Sequence, residues 1–119
     1  MNKKELSRLK RHGRIKLRMH GTKERPRLVI KRSLNNLSAM VVNDAENKVI
    51  FSFSTANKEF KQKVENSGNV KAAEIFGQIF REKAKGKGIT KIIFDRAGYL
   101  YHGRIKTFAE SLRKGGMEF

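Results

Sequence analysis

Cysteine is absent, so the chain carries neither a disulfide framework nor a thiolate metal site. Tryptophan is absent as well, and no phenylalanine precedes Phe51. The N-terminal segment therefore lacks the bulky apolar face that inserts into a membrane surface. No apolar run approaches membrane-spanning length. The basic start has no apolar h-region of a signal peptide, and a cytosolic protein is the simplest expectation. Acidic residues are scarce, 11 against 28 Lys and Arg, which leaves a formal charge of +17. A folded chain of 119 residues suffers self-repulsion at that charge unless a polyanion neutralises it. Nucleic acid is the first candidate partner and an anionic membrane the second. The length suits one domain with one modest core.

The charge is concentrated at one end. Residues 1–32 contain 13 Lys and Arg against Glu5 and Glu24, so +11 of the +17 lies there. Lys3, Lys4, Arg8, Lys10, Arg11, Arg14, Lys16, Arg18 and Lys23 make residues 1–26 a basic arm, with Arg25 and Arg27 at its end. Leu6, Leu9, Gly13 and Leu17 trace a thin helical stripe that Gly13 weakens. Like charges along a helix repel, so the arm is expected to bury almost nothing and to stay unstructured until a counter-charge arrives. Pro26, the only proline, pushes Arg25 toward an extended conformation and separates the arm from a globular body, 27–119.

The body begins with three short alternating runs, Arg27–Arg32, Leu37–Asn43 and Lys48–Ser54. They are separated by turn formers at 33–36 and 44–47, and read as a strand meander. Val49, Phe51 and Phe53 are expected on one face of the third strand. Thr55 to Gly68 is polar and reads as a loop, with a helical turn possible at 59–64. Asn69 is an N-cap candidate. Val70, Ala73, Phe76, Gly77, Phe80 and Ala84 then mark one face of a helix, widened by Ala72, Ile75 and Ile79 and stopped at Lys85-Gly86-Lys87-Gly88. Gly77 on the buried side would bring that helix close to a sheet.

The remaining stretch, TKIIFDRAGYLYHGRIK, is strand, polar-aromatic loop and helix start. Ile92, Ile93 and Phe94 form the strand, and Asp95 ends it and caps the turn. Gly98 supplies the positive φ of a tight reversal. Ile105, Phe108, Ala109 and Leu112 give the last helix its apolar face, and Gly115-Gly116 closes it. The loop between gathers Arg96, Tyr99, Tyr101, His102, Gly103 and Arg104 beside a helix N-terminus, where backbone N–H groups favour an anion. One of the two tyrosines is expected in the core.

The order is β-β-β-α-β-α, an α/β fold with a mixed sheet. A helical crossover makes the fourth strand parallel to the third, hence also to the first. If the fourth lies beside the first, the order is 3-2-1-4. Arg32, Ser33, Asn35 and Asn36 then share one edge with the Arg96–Arg104 loop. Beside the third strand, it would leave the two loops apart. Together they would offer cations for phosphates, amides for base and sugar edges, and rings for stacking, the parts needed to read structured RNA.

An enzyme is the main rival reading, since this strand order resembles a ribonuclease-H-like arrangement. Its candidate metal-binding acids are Asp44, Asp95 and Glu110, but the first strand, RLVIKR, has no acid where such a site needs one. His12, His20 and His102 show no metal spacing. No cofactor or small-molecule substrate is indicated.

FDRAGYLYHGRIK with the ending GGMEF, the junction GTKERPRL and the run GNVKAAEIFGQIFREKAKGKGI resemble the bacterial ribosomal protein L-eighteen family over nearly the whole chain. The resemblance implies the 3-2-1-4 order and a non-catalytic constituent of the large ribosomal subunit. That constituent binds 5S rRNA and helps attach it to the large-subunit rRNA in the central protuberance, beside a protein of the L-five family. Four positions depart from the family pattern. Lys31 stands where an aromatic is usual, Ser38 for a tyrosine, Ala97 for a glycine and Glu118 for a lysine.

Overall fold

The computed structural model describes residues 2–16 and 19–119, without the side chains of residues 15 and 16. Three alternating runs bounded by turn formers become β1 (Arg27–Arg32), β2 (Leu37–Asn43) and β3 (Lys48–Ser54), within the limits their sequence sets. The arm contains a helix, α1 (Lys3–Lys16). After β3 come α2 (Lys58–Lys61), α3 (Val70–Gly86), β4 (Ile93–Asp95) and α4 (Arg104–Lys114). The sheet order is β3-β2-β1-β4, with β4 parallel to β1 and the other pairs antiparallel. This is the 3-2-1-4 order, and it brings the loops after β1 and β4 to one edge.

The helices α3 and α4 cover one face of the sheet. Leu28, Ile30, Ala39, Val41 and Phe53 meet Phe76, Phe80, Phe108 and Leu112 there, all buried. All eight phenylalanines join one network of ring contacts, from Phe51 on Phe80 at 4.9 Å through Phe76 on Phe108 at 5.1 Å to Phe94 on Phe119 at 5.4 Å. Phe60, in the polar stretch after β3, belongs to it. α2 turns that ring fully inward, edge-on to Phe76 at 5.8 Å.

Three details depart from the sequence expectations. Val49 does not share a face with Phe51 and Phe53. A bulge pairs Val41 with Phe51 but Val42 with Val49, so Ile50 is the extra residue and Val49 turns outward, 55% exposed. Val70 is half exposed because it is the first residue of α3, ahead of the packed turns. Gly77 faces α4 rather than the sheet. A Cβ there would lie 2.6 Å from the Ser111 side chain and 3.1 Å from the Phe108 carbonyl oxygen. Ser111 Oγ completes this contact by donating to the Glu74 carbonyl at 2.9 Å. Asn69 does cap α3, its side chain accepting from the Ala72 N–H at 2.8 Å.

The arm is the largest departure. Its helix docks on the turn after β4. Arg8 Nη1 donates to the Ala97 carbonyl at 2.9 Å, and Arg11 Nε to the Gly98 carbonyl at 3.0 Å. A Cβ on Gly98 would strike the Arg8 carbonyl oxygen, and Gly98 has φ +80°, so both close approach and backbone demand glycine there. Hydrogen bonds to this turn supply the counter-partners that the arm's repulsion required from outside.

Candidate nucleic-acid interface

Asp95 ends β4 and is fully buried. Its Oδ1 accepts from the Ala97 N–H at 2.8 Å, capping the turn. Its Oδ2 accepts from Arg27 Nη1 at 2.6 Å and lies 3.0 Å from His12 Nε2 on α1. Arg27 also reaches Asp44, with Nε on Oδ2 at 2.9 Å and Nη2 on Oδ1 at 3.1 Å. The register explains this meeting. Arg27 pairs with Val42 on one side and Ile93 on the other, and each acid stands two residues further along. The Arg27 hydrogen bond holds Asp44 below the usual carboxylate range against the opposing effect of burial, and the Gly21 N–H assists. In turn, the hydrogen bond from Asp44 leads in raising Arg27 above its ordinary value.

Arg27 is therefore a buried structural cation, 6% exposed, and leaves the set of candidate RNA contacts. The two acids offered to a nuclease, Asp44 and Asp95, are joined to its guanidinium instead of facing a cleft. Gly21 ties the junction to the same group. Its N–H donates to Asp44 Oδ2 at 2.7 Å, and its carbonyl accepts from the Asp44 N–H at 2.9 Å.

The two edge loops are bonded together. Arg104 Nη2 donates to the Ser33 carbonyl at 2.8 Å, and Tyr99 Oη donates to the Arg32 carbonyl at 3.3 Å. Tyr99 is the core tyrosine, 8% exposed, and its ring receives two guanidiniums, Arg8 at 4.5 Å and Arg32 at 5.0 Å. Tyr101 is the outward one, 38% exposed, with His102 exposed beside it. Burial, and then the charge of Arg32, push Arg104 below its ordinary value. Its Nη1 is buried without a hydrogen-bond partner. Arg104 thus braces the β1–β2 loop with one nitrogen and keeps another unmatched.

The other predicted residues divide by what they already bind. Ser33 Oγ donates to the Asn36 carbonyl and accepts the Asn36 N–H, both at 3.2 Å, so its hydroxyl shapes its own turn. The Asn36 side-chain oxygen accepts from Thr55 at 2.9 Å and Ser67 at 3.1 Å. Arg32, Asn35, Lys23, Arg25, Lys3, Lys4, Lys10 and Arg14 are exposed, and Arg96 is half-buried. Gly103 begins α4 with φ +58°, a conformation suited to glycine. The side chains of Lys16 and Arg18 lie outside the described residues. Two side chains that the pattern did not single out stand at the loop tips, Leu34 at 86% and Leu100 at 66% exposure.

The departures from the family pattern also find places. Lys31 and Ser38 are cross-strand partners on the sheet's outward face, so the two missing aromatic rings were neighbours. Ala97 adopts φ +55°, where glycine is at ease. Glu118 approaches Lys91, Oε2 to Nζ, at 3.7 Å. No helix among the described residues is long and apolar enough to cross a membrane.

The site is a cationic edge with stacking and hydrogen-bonding groups, the chemistry of RNA backbone and loop recognition. Comparison with known proteins agrees. Residues 2–119 match the model of the family described as ribosomal L18 of archaea, bacteria, mitochondria and chloroplast. The large ribosomal subunit protein uL18 of Heliobacterium modesticaldum is 44% identical over 116 residues, spanning 98% of this chain and 95% of that protein. The uL18 protein of Clostridioides difficile is 42% identical at the same coverage. That of Petrotoga mobilis is 42% identical over all 119 residues and 97% of its own length. The chain belongs to the ribosomal L18 family, whose members are structural constituents of the large ribosomal subunit and not enzymes.

Proposed function

We propose that this chain binds 5S rRNA and helps attach it to the large-subunit rRNA in the central protuberance, with a protein of the L-five family as its protein neighbour. The loops after β1 and β4 and the arm, residues 1–26, act as one interface on the body, 27–119. The observation that supports this reading best is the Arg104–Ser33 bond, which fixes the two loops side by side next to Arg32 and the outward Tyr101. Cations along the arm and edge neutralise phosphates, and Tyr101, His102 and Asn35 face exposed bases and riboses. As a ribosomal protein it works in the cytoplasm. The test is competition: labelled 5S rRNA transcript bound to the chain is challenged with unlabelled 5S rRNA or with unrelated structured RNA of equal length. Displacement by 5S rRNA at much lower concentration supports the assignment. Equal displacement by both makes the chain a general RNA binder and refutes it.

A further inference from the structure

Helix α1 docks through charged side chains and turns its leucines outward. Arg8, Arg11 and His12 face the body. Leu6, Leu9 and Gly13, spaced i, i+3, i+7, form a separate stripe, with Leu6 48% and Leu9 38% exposed. Beside it runs a cationic stripe of Lys3, Ser7, Lys10 and Arg14, all exposed, at i, i+4, i+7, i+11. An amphipathic helix on a protein surface ordinarily buries its leucines against the body, and this one does the reverse.

Gly13 sharpens the question. After proline, glycine is the poorest helix former, yet it stands inside α1. Its φ is not positive, so the backbone does not require glycine. A Cβ there would meet nothing within 4 Å among the described residues, so packing within the chain does not require it either. What is left is close approach from outside. We propose that the Leu6–Leu9–Gly13 face lies against the shallow minor groove of an A-form RNA helix, with Lys3, Lys10 and Arg14 on the phosphates at its rim. The inference rests on the RNA-binding reading above and gives the arm its RNA element.

Charge selects the occupant. A second copy of a +17 chain would bring two cationic stripes together at this face. The minor groove of A-form RNA is wide and shallow enough to admit a helix face, and its riboses offer carbon surface to leucine and 2′-hydroxyls to a bare backbone. The cations lie about 10 Å and about 6 Å apart along the axis, from the helical rise, which suits phosphates lining one strand.

The experiment measures binding of the full chain and two variants, Gly13→Ala and Leu6→Ser/Leu9→Ser, by fluorescence anisotropy. The probes are the 5S rRNA transcript, a blunt A-form RNA duplex and a DNA duplex of the same sequence. Alanine favours the helix, so circular dichroism of free Gly13→Ala should show equal or greater helicity. The proposal expects Gly13→Ala to bind both RNAs at least fivefold more weakly all the same, with DNA affinity unchanged. The leucine double variant should weaken RNA binding similarly without changing its salt dependence, since no charge is removed. Gly13→Ala binding RNA as tightly as the parent, or more tightly, overturns the proposal, and capture of a protein partner that depends on Leu6 and Leu9 would then identify what covers the face. Loss of preference for 5S rRNA over the duplex in the parent chain refutes the 5S assignment alone.

Discussion

His12 and Asp95 meet at 3.0 Å across 83 residues of chain, and the carboxylate oxygen they share accepts from Arg27 at 2.6 Å. One buried acid therefore ties the arm, the first strand and the site-bearing turn together. Asp95→Asn keeps the shape but removes the charge. It should cost about 3 kcal/mol, at the low end for breaking a buried pair, because Asp44 still neutralises Arg27. His12→Ala should leave the melt nearly unchanged while the α1 amides lose hydrogen-exchange protection. A marked drop in melting temperature with α1 still protected would place His12 in the core instead of the latch.

Asp44 predicts an acid limit. Its folded value is depressed below the ordinary 3.8, mainly by the Arg27 hydrogen bond. Its stabilisation is therefore complete above the unfolded value, near pH 4, and fades as pH falls through the folded one. Urea unfolding followed from pH 6 downward should show that loss in the parent chain and less of it in Asp44→Asn. Identical pH profiles would contradict the pairing.

Arg104 and Leu112 should separate function from fold. Arg104→Ala loses the bond to the Ser33 carbonyl, worth about 1 kcal/mol, and weakens RNA binding markedly. Leu112, fully buried, loses about 2–5 kcal/mol on truncation to alanine while the surface that meets RNA stays intact. Melting curves and RNA titrations on both variants decide this. An Arg104→Ala chain that fails to fold would make Arg104 purely structural.

Gly77→Ala tests the approach of α3 to α4. With Ser111 only 2.6 Å from the added carbon, the helices must part, at about 1–3 kcal/mol. Gly77→Ala/Ser111→Gly should recover part of the loss. No recovery would mean that the contact does not set the helix spacing.

Strand limits and sheet order were legible because alternation and turn formers are local signals. Leu28 and Ile30 point inward and Val29 outward, as their spacing requires. The docked arm was not legible, since Arg8 and Arg11 bind backbone carbonyls of a turn 87–89 residues away, and carbonyls leave no mark in the sequence. Phe60 was missed because one aromatic in a polar stretch has no period. Arg27 read as the last cation of the arm, although a trace of its burial was present. Asp44 and Asp95 each follow a strand that flanks its own, and register alone carries both to it. The edge-loop site was foreseen as a group of residues, but the sequence left open which tyrosine turns outward. Packing decides it, since the Tyr99 ring lies under Arg8 and Arg32.

The most direct test of RNA binding by arm and edge together is the salt dependence of 5S rRNA affinity for the parent chain and for Lys3→Gln/Lys10→Gln/Arg14→Gln. These three residues are exposed and make none of the contacts that dock α1, so the fold and the latch should persist. Each phosphate contact contributes roughly 0.7–0.9 to the slope of log affinity against log salt, so the triple variant should flatten the line by roughly 2–3 units. Affinity should fall most at low salt, with the two lines converging as salt rises. Parallel lines of equal affinity would contradict the account, leaving the outward face of the arm without a role in RNA binding.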